Sequence, residues 1–158
     1  MIKYLGTKIV EAEYYERCRF GHDEHGNVLL RPAGYIVKYP DGYESWSPKK
    51  VFEEAYRPIN GLTFGLAIEA LKKGHKVARK GWNGKGMWVV LMPALYLPPY
   101  NTQDTMRKVN DRTAKHIGED KPLDSQPYIA MWTAAEQWQP GWFASQADML
   151  AEDWQIVS

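Results

Sequence analysis

The sequence predicts an α+β fold built mainly from antiparallel strands and a few short helices. Short runs of β-branched and aromatic residues alternate with turn signals, which is typical of strands joined by tight connections. Two longer segments have the apolar periodicity of amphipathic helices. The hydrophobic fraction of 44% and the charged fraction of 25% are those of a folded globular protein. We expect a small N-terminal α+β segment followed by a larger C-terminal domain.

The first part of the N-terminal segment is predicted to be mostly extended. Residues 4–15 favour a strand, and residues 21–33 are predicted to form a loop with a short apolar interruption. Residues 34–39 (GYIVKY) predict a second strand, which turns at Pro40-Asp41-Gly42 into a short return strand.

A helix is predicted to close this segment. Ser47 is expected to be its N-cap and Pro48 its first residue, since proline is favoured there. Residues 57–61 (RPING) then break the pattern, and we place a domain boundary there, between 1–59 and 60–158. The residues expected to form the buried face of this helix are Val51, Phe52 and Ala55.

The C-terminal domain opens with an amphipathic helix followed by two strands. Thr63 is predicted to cap the helix, and Gly74 is placed to end it. Residues 76–79 (KVAR) and 87–92 (MWVVLM) predict strands joined by the loop 80–86. One face of the helix is expected to carry Phe64, Ala67, Ile68 and Leu71.

The rest of this domain is predicted to alternate between irregular, helical and extended segments. Residues 93–101 contain three prolines and are expected to be irregular. Residues 104–118 predict a helix with Met106, Val109, Thr113 and Ile117 on one face. The remaining predicted elements are a strand within 126–134, a turn and short strand in 135–143, a helix from Ser145 to Glu152 and a strand over 154–157.

The stretch 80–88, KGWNGKGMW, is dense in glycine but carries neither of the common nucleotide motifs. Gly81 and Gly86 have the spacing of a Walker phosphate loop, yet Met87 stands where that motif requires lysine, and a strand follows instead of a helix. The dinucleotide pattern G-x-G-x-x-G also fails, because the order here is G-x-x-G-x-G.

Two interpretations of this stretch remain open. In the structural one, an Asn83-Gly84 turn joins the two flanking strands tightly. In the functional one, Trp82 offers a stacking face, Asn83 a donor and acceptor, Lys85 a cation, and Gly86 a close backbone approach. Those are the components of a pocket for a nucleotide-like ligand.

The C-terminal run PGWFASQADMLAEDWQIV also has two interpretations. Ser145 and Asp148 have the spacing of a capping box, which would give both residues a structural role. A helix N-terminus also presents unpaired N–H groups to an anion, and Trp142 lies just before it.

Several classes of site and target are not supported by the sequence. His22 and His25 could both bind a metal, but no third ligand or paired zinc motif accompanies them. Cys18 is the only cysteine, so an internal disulfide and a four-thiolate zinc site are excluded. No nucleophile elbow is present. We therefore expect no metal, no cofactor and no enzymatic activity.

Charge and hydropathy argue against nucleic acid and membrane targets. The formal net charge is +1, which provides no strong attraction to DNA or to anionic lipids. The longest apolar run has six residues, far short of a membrane span, and the first 17 residues lack the apolar stretch of a signal peptide. We expect neither DNA nor membrane as a partner.

Three stretches in order carry a resemblance to a known family. FGLAIEALKKGHKVARKGWNGKGMWVVL, then PYIAMWTA, then PGWFASQADMLAEDWQIV resemble the second Thoeris anti-defence family of phages and prophages. The resemblance covers about residues 62–157, with a longer insertion at roughly 94–124. Residues 1–59 lie outside it, and their role is open.

The resemblance implies a non-catalytic sponge. Members of that family bind the cyclic ADP-ribose-like signal, glycocyclic ADP-ribose, that TIR-domain defence proteins make, and some bind cyclic dinucleotides. They form homotetramers with pockets between subunits, and the implied location is the cytoplasm of the infected bacterium. On this basis the expected ligand-binding residues are Trp82, Asn83, Lys85, Gly86, Tyr128, Trp142, Ser145 and Asp148. An enzyme that cleaves the same signal, and a prophage module or toxin that binds protein or nucleic acid, are the alternatives.

Overall fold

The computed structural model describes residues 2, 7–103 and 106–158, and it confirms the predicted α+β class. Every strand pair in these residues is antiparallel, and the helices are short. The chain divides into two compact units, residues 1–58 and 59–158. No helix in the described ranges is both long enough and apolar enough to cross a membrane.

The first unit combines a three-stranded sheet, a separate hairpin and one helix. Its elements are β1 (Glu11–Tyr15), β2 (Cys18–His22), β3 (Val28–Arg31), β4 (Gly34–Lys38), β5 (Glu44–Pro48) and α1 (Lys49–Ala55). The sheet order is β1-β4-β5, and β2 pairs with β3. Phe52 of α1 stacks on Tyr35 of β4 with ring centroids 4.2 Å apart, which attaches the helix to the sheet.

The predicted loop at 21–33 is wrong, because its apolar residues form strand β3. The intervening turn is organised by Asp23, whose carboxylate accepts hydrogen bonds from the backbone N–H groups of His25 and Asn27 at 2.9 and 2.8 Å. This Asx-type turn brings β3 back along β2. Of the strand predicted over 4–15, residues 11–15 are extended as β1, and residues 4–6 lie outside the described ranges.

Two expectations for the helix of this unit are also wrong. Pro48 is the N-cap, and Ser47 belongs to β5, where it pairs with Tyr35. No residue of α1 is fully buried: Val51 is 56% exposed, and Ala55 is exposed as well. The unit is too small to cover both sides of a helix, so the ring of Phe52 makes the main aromatic contact with the sheet.

The second unit is a five-stranded sheet with a helix on one face. Its elements are α2 (Phe64–Lys72), β6 (Lys76–Arg79), β7 (Trp88–Met92), β8 (Leu95–Leu97), α3 (Asp111–Ile117), β9 (Leu123–Ser125), β10 (Tyr128–Trp132), β11 (Trp138–Gln139), α4 (Gln146–Met149) and β12 (Trp154–Val157). The sheet order is β11-β10-β7-β6-β12, and β8 and β9 form a separate two-stranded ribbon.

Helix α2 confirms the prediction in its bounds and in its buried face. The Thr63 hydroxyl caps the first turn by accepting from the Leu66 N–H, and Gly74, with φ +86°, follows the last turn in the left-handed conformation. Ala67 and Leu71 are buried, and Phe64 and Ile68 pack around them. They form the main core with Leu62, Ala70, Val77, Val89, Met131 and Trp154.

The sheet has a helix-covered face and a second face that carries different side chains. Val77 and Val89 are opposite each other and belong to the core under α2. Because successive side chains in a strand alternate, their neighbours Ala78 and Trp88 lie on the other face. That second face is where the loop between β6 and β7 emerges.

The segment between β7 and β10 corrects two predictions. Residues 93–101 are not wholly irregular, because β8 (Leu95–Leu97) pairs with β9 and extends the β7–β10 hairpin. The helix predicted over 104–118 is limited to α3, which begins at Asn110, whose side chain accepts from the Thr113 N–H at 2.9 Å. Met106 is 89% exposed, and Val109 is buried with its N–H bonded to the Pro98 carbonyl, outside any helix. Residues 104–105 lie outside the described ranges.

Candidate functional site

The loop 80–87 is fixed at its first residues by a cluster of charges, which we call the clamp: Arg79, Asp148 and Asp153. The Arg79 Nε donates to Asp153 Oδ1 at 2.8 Å, and its Nη1 donates to Asp148 Oδ1 at 2.9 Å. The Arg79 side chain is only 16% exposed. A largely buried guanidinium that pairs with two carboxylates is held in one orientation. The clamp therefore fixes the position of the C-terminal end of β6.

Asp148 is the most connected residue of the clamp. Its Oδ1 also accepts from the Trp82 indole N–H at 2.9 Å, and its Oδ2 accepts from the backbone N–H and the hydroxyl of Ser145 at 3.0 and 2.7 Å. Burial would raise the pKa of this carboxyl, but the bonds from Ser145, Trp82 and Arg79 outweigh it and lower the pKa to about 2. Asp148 is therefore fully ionised at neutral pH and has both oxygens occupied.

Asp153 holds the backbone of the loop directly. Its Oδ2 accepts from the Gly81 N–H at 2.7 Å, and its backbone carbonyl accepts from the Lys80 N–H at 3.1 Å. The hydrogen bond from Arg79 lowers the pKa of Asp153, and burial opposes that shift. The hydrogen bond to Asp153, and to a smaller extent the one to Asp148, raises the pKa of Arg79 above its usual value.

Three tryptophans pack around the clamp. Trp82, Trp142 and Trp154 contact one another edge to face, with ring centroids 5.4 to 6.0 Å apart. Trp154 is fully buried and donates its indole N–H to the Asp148 carbonyl at 2.9 Å. Each buried indole thus has a polar partner or an aromatic neighbour, and the loop, α4 and β12 are joined in one cluster.

Two glycines of the loop are needed for close approach. A Cβ on Gly81 would lie 2.7 Å from the Asp153 carboxylate oxygen, and a Cβ on Gly84 would lie 2.9 Å from the Cβ of Ala134. Ala134 belongs to the turn between β10 and β11. The first glycine lets the clamp reach the backbone, and the second lets the loop pack on that neighbouring turn.

The predicted Asn83-Gly84 turn is wrong. Such a turn requires positive φ at both residues, and in the described chain the loop 80–87 has positive φ at Gly86 (+71°). The turn therefore lies at Lys85 and Gly86, two residues later than expected. Asn83 has ordinary backbone geometry and an exposed side chain, so no turn conformation depends on it.

A depression of about 370 Å³ lies where the loop meets the second face of the sheet. Its cations are Lys80 and Lys85, which are exposed, and Arg79, which the clamp already pairs. Trp88 supplies an aromatic wall. The other lining residues are Ala78, Trp82, Gly84, Gly86, Met87, Gln155, Val157 and Ser158. No aspartate or glutamate is among the described residues that line it, so the depression favours an anion.

A second aromatic group continues from this wall. Trp88 of β7 stacks on Trp132 of β10 with ring centroids 6.1 Å apart and an interplanar angle of 14°, and it meets Trp138 of β11 edge-on. The Lys76 Nζ lies 5.2 Å from the centre of the Trp88 ring. The stacked rings hold Trp88 in place, and the ammonium is attracted to the ring face.

Comparison with known proteins identifies the family. The sequence model of the Thoeris anti-defense 2-like domain matches residues 62–157. A relative named Thoeris anti-defense 2, from Bacillus phage SP01, is 34% identical over 97 residues, which are 61% of this chain and 96% of the relative. The chain belongs to the Thoeris anti-defense 2-like family. Membership in this family supports a role against Thoeris defence.

The residues predicted to bind ligand fall into two groups on the Thoeris anti-defense 2-like domain. Trp82, Lys85 and Gly86 line the depression, and Asn83 is exposed on the same loop. Trp142, Ser145 and Asp148 are brought together around the clamp, where Ser145 and Asp148 form a complete capping box. Tyr128 lies on β10 opposite Met92 and is not among the lining residues.

Nine of the twelve lining residues were not predicted to bind ligand, among them Lys80, Trp88 and Gln155. Lys80 begins the stretch 80–88 but was not predicted to bind ligand, Trp88 was assigned only to the predicted strand 87–92, and Gln155 lies in the last strand. Trp88 could have been found, because strict alternation in MWVVLM places it on the face opposite Val89. Gln155 required knowledge that β12 pairs with β6.

Gly84→Ala is expected to lower the free energy of unfolding by about 1–3 kcal/mol, because the new Cβ would overlap the Met87 Sδ and would lie 2.9 Å from the Ala134 Cβ. Gly65→Ala is the matched control: it lies in α2 with nothing within 4 Å of the new Cβ and should raise stability by up to about 1 kcal/mol. Urea denaturation of both variants checks this. Equal shifts for the two would contradict the close contact.

Asp148→Asn is expected to lower the free energy of unfolding at pH 7 by about 2–4 kcal/mol, since Arg79 loses a buried partner. The folded-state pKa is below the ordinary value of 3.8, so Asp148 stabilises the fold above that pH and the contribution is lost as pH falls toward 2. Urea denaturation from pH 7 to pH 2 measures both effects. Asp124→Asn, at an exposed position of β9, should leave stability at pH 7 unchanged; identical curves for Asp148→Asn and the parent would refute the clamp.

Proposed function

We propose that this protein is a phage-encoded sponge that binds a cyclic ADP-ribose-like immune signal, glycocyclic ADP-ribose or a related cyclic nucleotide, and releases it unchanged. By holding the signal in the cytoplasm of the infected bacterium, it keeps the signal from its defence effector. The observation that carries the proposal is the rigid loop 80–87, which places exposed cations and an aromatic wall at one depression. Family membership supports the target system.

The depression has the chemistry that a cyclic nucleotide requires. Lys80 and Lys85 suit a diphosphate, and the ring of Trp88 suits a base. Each hydrogen bond to a charged group adds about 1.5–3 kcal/mol, and each stacked base adds about 1–3 kcal/mol. Nanomolar binding needs about 12 kcal/mol. Such a sum is reached only where little free energy is lost in ordering the site, and the clamp and the glycine contacts supply that order.

The state of the carboxylates supports binding without cleavage. A general acid or base works best with a pKa near the operating pH. Asp148 has a pKa of about 2 and accepts hydrogen bonds at both oxygens, while the pKa of Asp153 is lowered and that carboxylate holds Arg79 and Gly81. Both carboxylates therefore have a structural role. A signal-cleaving enzyme and a protein- or nucleic-acid-binding module are the rival functions.

Recovery of intact ligand after denaturation distinguishes the three functions. The protein is incubated with excess cyclic ADP-ribose or glycocyclic ADP-ribose, freed of unbound nucleotide by gel filtration, and heated. Chromatography of the supernatant should return unaltered nucleotide in stoichiometric amount. A cleaved product would support the enzyme, and failure to retain either nucleotide would support the interaction module.

The same assay tests the depression. Lys85→Gln is expected to weaken binding about 10-fold or more, because it removes one charge-assisted contact. Lys115→Gln, at an exposed position of α3, is the charge-matched control and should bind as the parent does. Tm should be unchanged for both. Undiminished affinity in Lys85→Gln would separate the depression from the function.

We also propose that the sponge is a homotetramer with ligand sites between subunits. The support within this chain is exposed apolar surface near α4: Phe143 is 93% exposed and Leu150 is 81% exposed. Light scattering at micromolar concentration should give about four times the chain mass of 18.2 kDa. A mass of one chain would contradict the tetramer and the sites between subunits, and any ligand site would then lie within one chain.

A further inference from the structure

Glu136 adopts a backbone conformation that glutamate rarely takes. Its φ is +57°, and it is the one non-glycine residue with positive φ in the described part of the chain. For a residue with a Cβ this conformation is strained, and such strain persists where the surrounding structure enforces it, often at functional sites.

The strain comes from the turn between β10 and β11. The Thr133 carbonyl accepts from the Glu136 N–H at 3.0 Å, and the Thr133 hydroxyl accepts from the Gln137 N–H at 3.2 Å. This is a tight turn followed by one left-handed residue, a hairpin connection in which glycine is the usual choice at that last position. Glycine would relieve the strain, so the turn itself does not account for a glutamate there.

The turn packs against the loop that lines the depression. The residues that flank it, Trp132 and Trp138, both contact the lining residue Trp88. Ala134 of the turn packs against Gly84 of the loop so closely that a Cβ on Gly84 would lie 2.9 Å from it. Glu136 therefore belongs to the turn that packs against the loop 80–87, and it is exposed.

We infer that Glu136 is a specificity-determining residue, which accepts a hydrogen bond from a neutral donor of the ligand, a ribose hydroxyl or a base amino group. This inference rests on the proposed function. The described residues that line the depression supply cations and aromatic rings but no carboxylate side chain. A nucleotide also carries hydroxyl and amino hydrogens, and a carboxylate is the side chain best suited to accept them while it repels a misplaced phosphate. Glu136 makes no ion pair with another described residue, so its oxygens are free for that bond.

Glu136→Gly separates a binding role from a structural one, because the two predict opposite changes. Relief of strain should raise Tm by about 2–4 °C. Loss of the carboxylate should weaken binding of cyclic ADP-ribose about 10- to 100-fold in calorimetry. Glu136→Gln keeps the strain and the side-chain size, and should weaken binding about 10-fold with Tm unchanged. Glu44→Gln, an exposed strand glutamate outside the matched domain, is the control and should change neither.

Two ligand analogues identify the donor. One lacks the 2′-hydroxyl of the adenosine ribose, and the other, cyclic inosine diphosphate-ribose, carries oxygen in place of the amino nitrogen. The analogue that lacks the donor should bind the parent more weakly, and Glu136→Gly should weaken its binding no further. If Glu136→Gly raises Tm and binds cyclic ADP-ribose as tightly as the parent, or if its effect adds fully to that of both analogues, the inference is overturned. A parent that binds no cyclic nucleotide overturns the proposed function as well, whereas binding that Glu136 variants leave intact overturns this inference alone.

Discussion

The ionic pairing of Arg79 with Asp148 and Asp153 is the interaction on which the site depends. It connects the end of β6 to α4 and to the residue before β12. Both carboxylates are about 70 residues from Arg79 in sequence. A buried ion pair is not stabilising in general, because desolvation offsets the attraction unless the remaining polar atoms are satisfied. Here Ser145, Trp82 and Gly81 satisfy the remaining carboxylate oxygens, so the pairing fixes geometry as well as charge.

The mixture of tryptophan and glycine in KGWNGKGMW follows from this constraint. Trp82 is directed inward, where its N–H reaches Asp148 and its ring completes an aromatic trio. Gly81 and Gly84 allow the backbone to approach Asp153 and Ala134, and Gly86 reverses the chain. The side chains left outside are Lys80, Asn83 and Lys85. The stretch is thus structural on its inner side and available for binding on its outer side, so the two interpretations of the sequence apply to different atoms of the same loop.

The structure could be predicted from the sequence where it depends on residues close together in the chain. The α+β class, α2 with its Thr63 cap and the Ser145–Asp148 capping box were predictable because period, cap and spacing lie within a few residues. It could not be predicted where a residue's contacts are with residues far away in the sequence. Neither Arg79 as the centre of the clamp nor Gln155 as a lining residue has a local signature, since each depends on strands that pair across the sheet. The prediction of an Asn83-Gly84 turn was wrong in a similar setting: Gly84 packs closely against Ala134, a contact about 50 residues away in sequence that the dipeptide alone does not reveal.

Rigidity of this kind suits sequestration more than catalysis. A sponge gains affinity by losing little entropy when ligand binds, and it needs no group that changes protonation during its cycle. The clamp meets both requirements, since Asp148 with a pKa of about 2 keeps its charge throughout the physiological pH range. Under the proposed function, discrimination among cyclic nucleotides falls to groups outside the clamp, on the exposed side of the loop and on the neighbouring turn. Because those groups do not hold the loop in place, substituting them should alter ligand preference without disturbing the clamp.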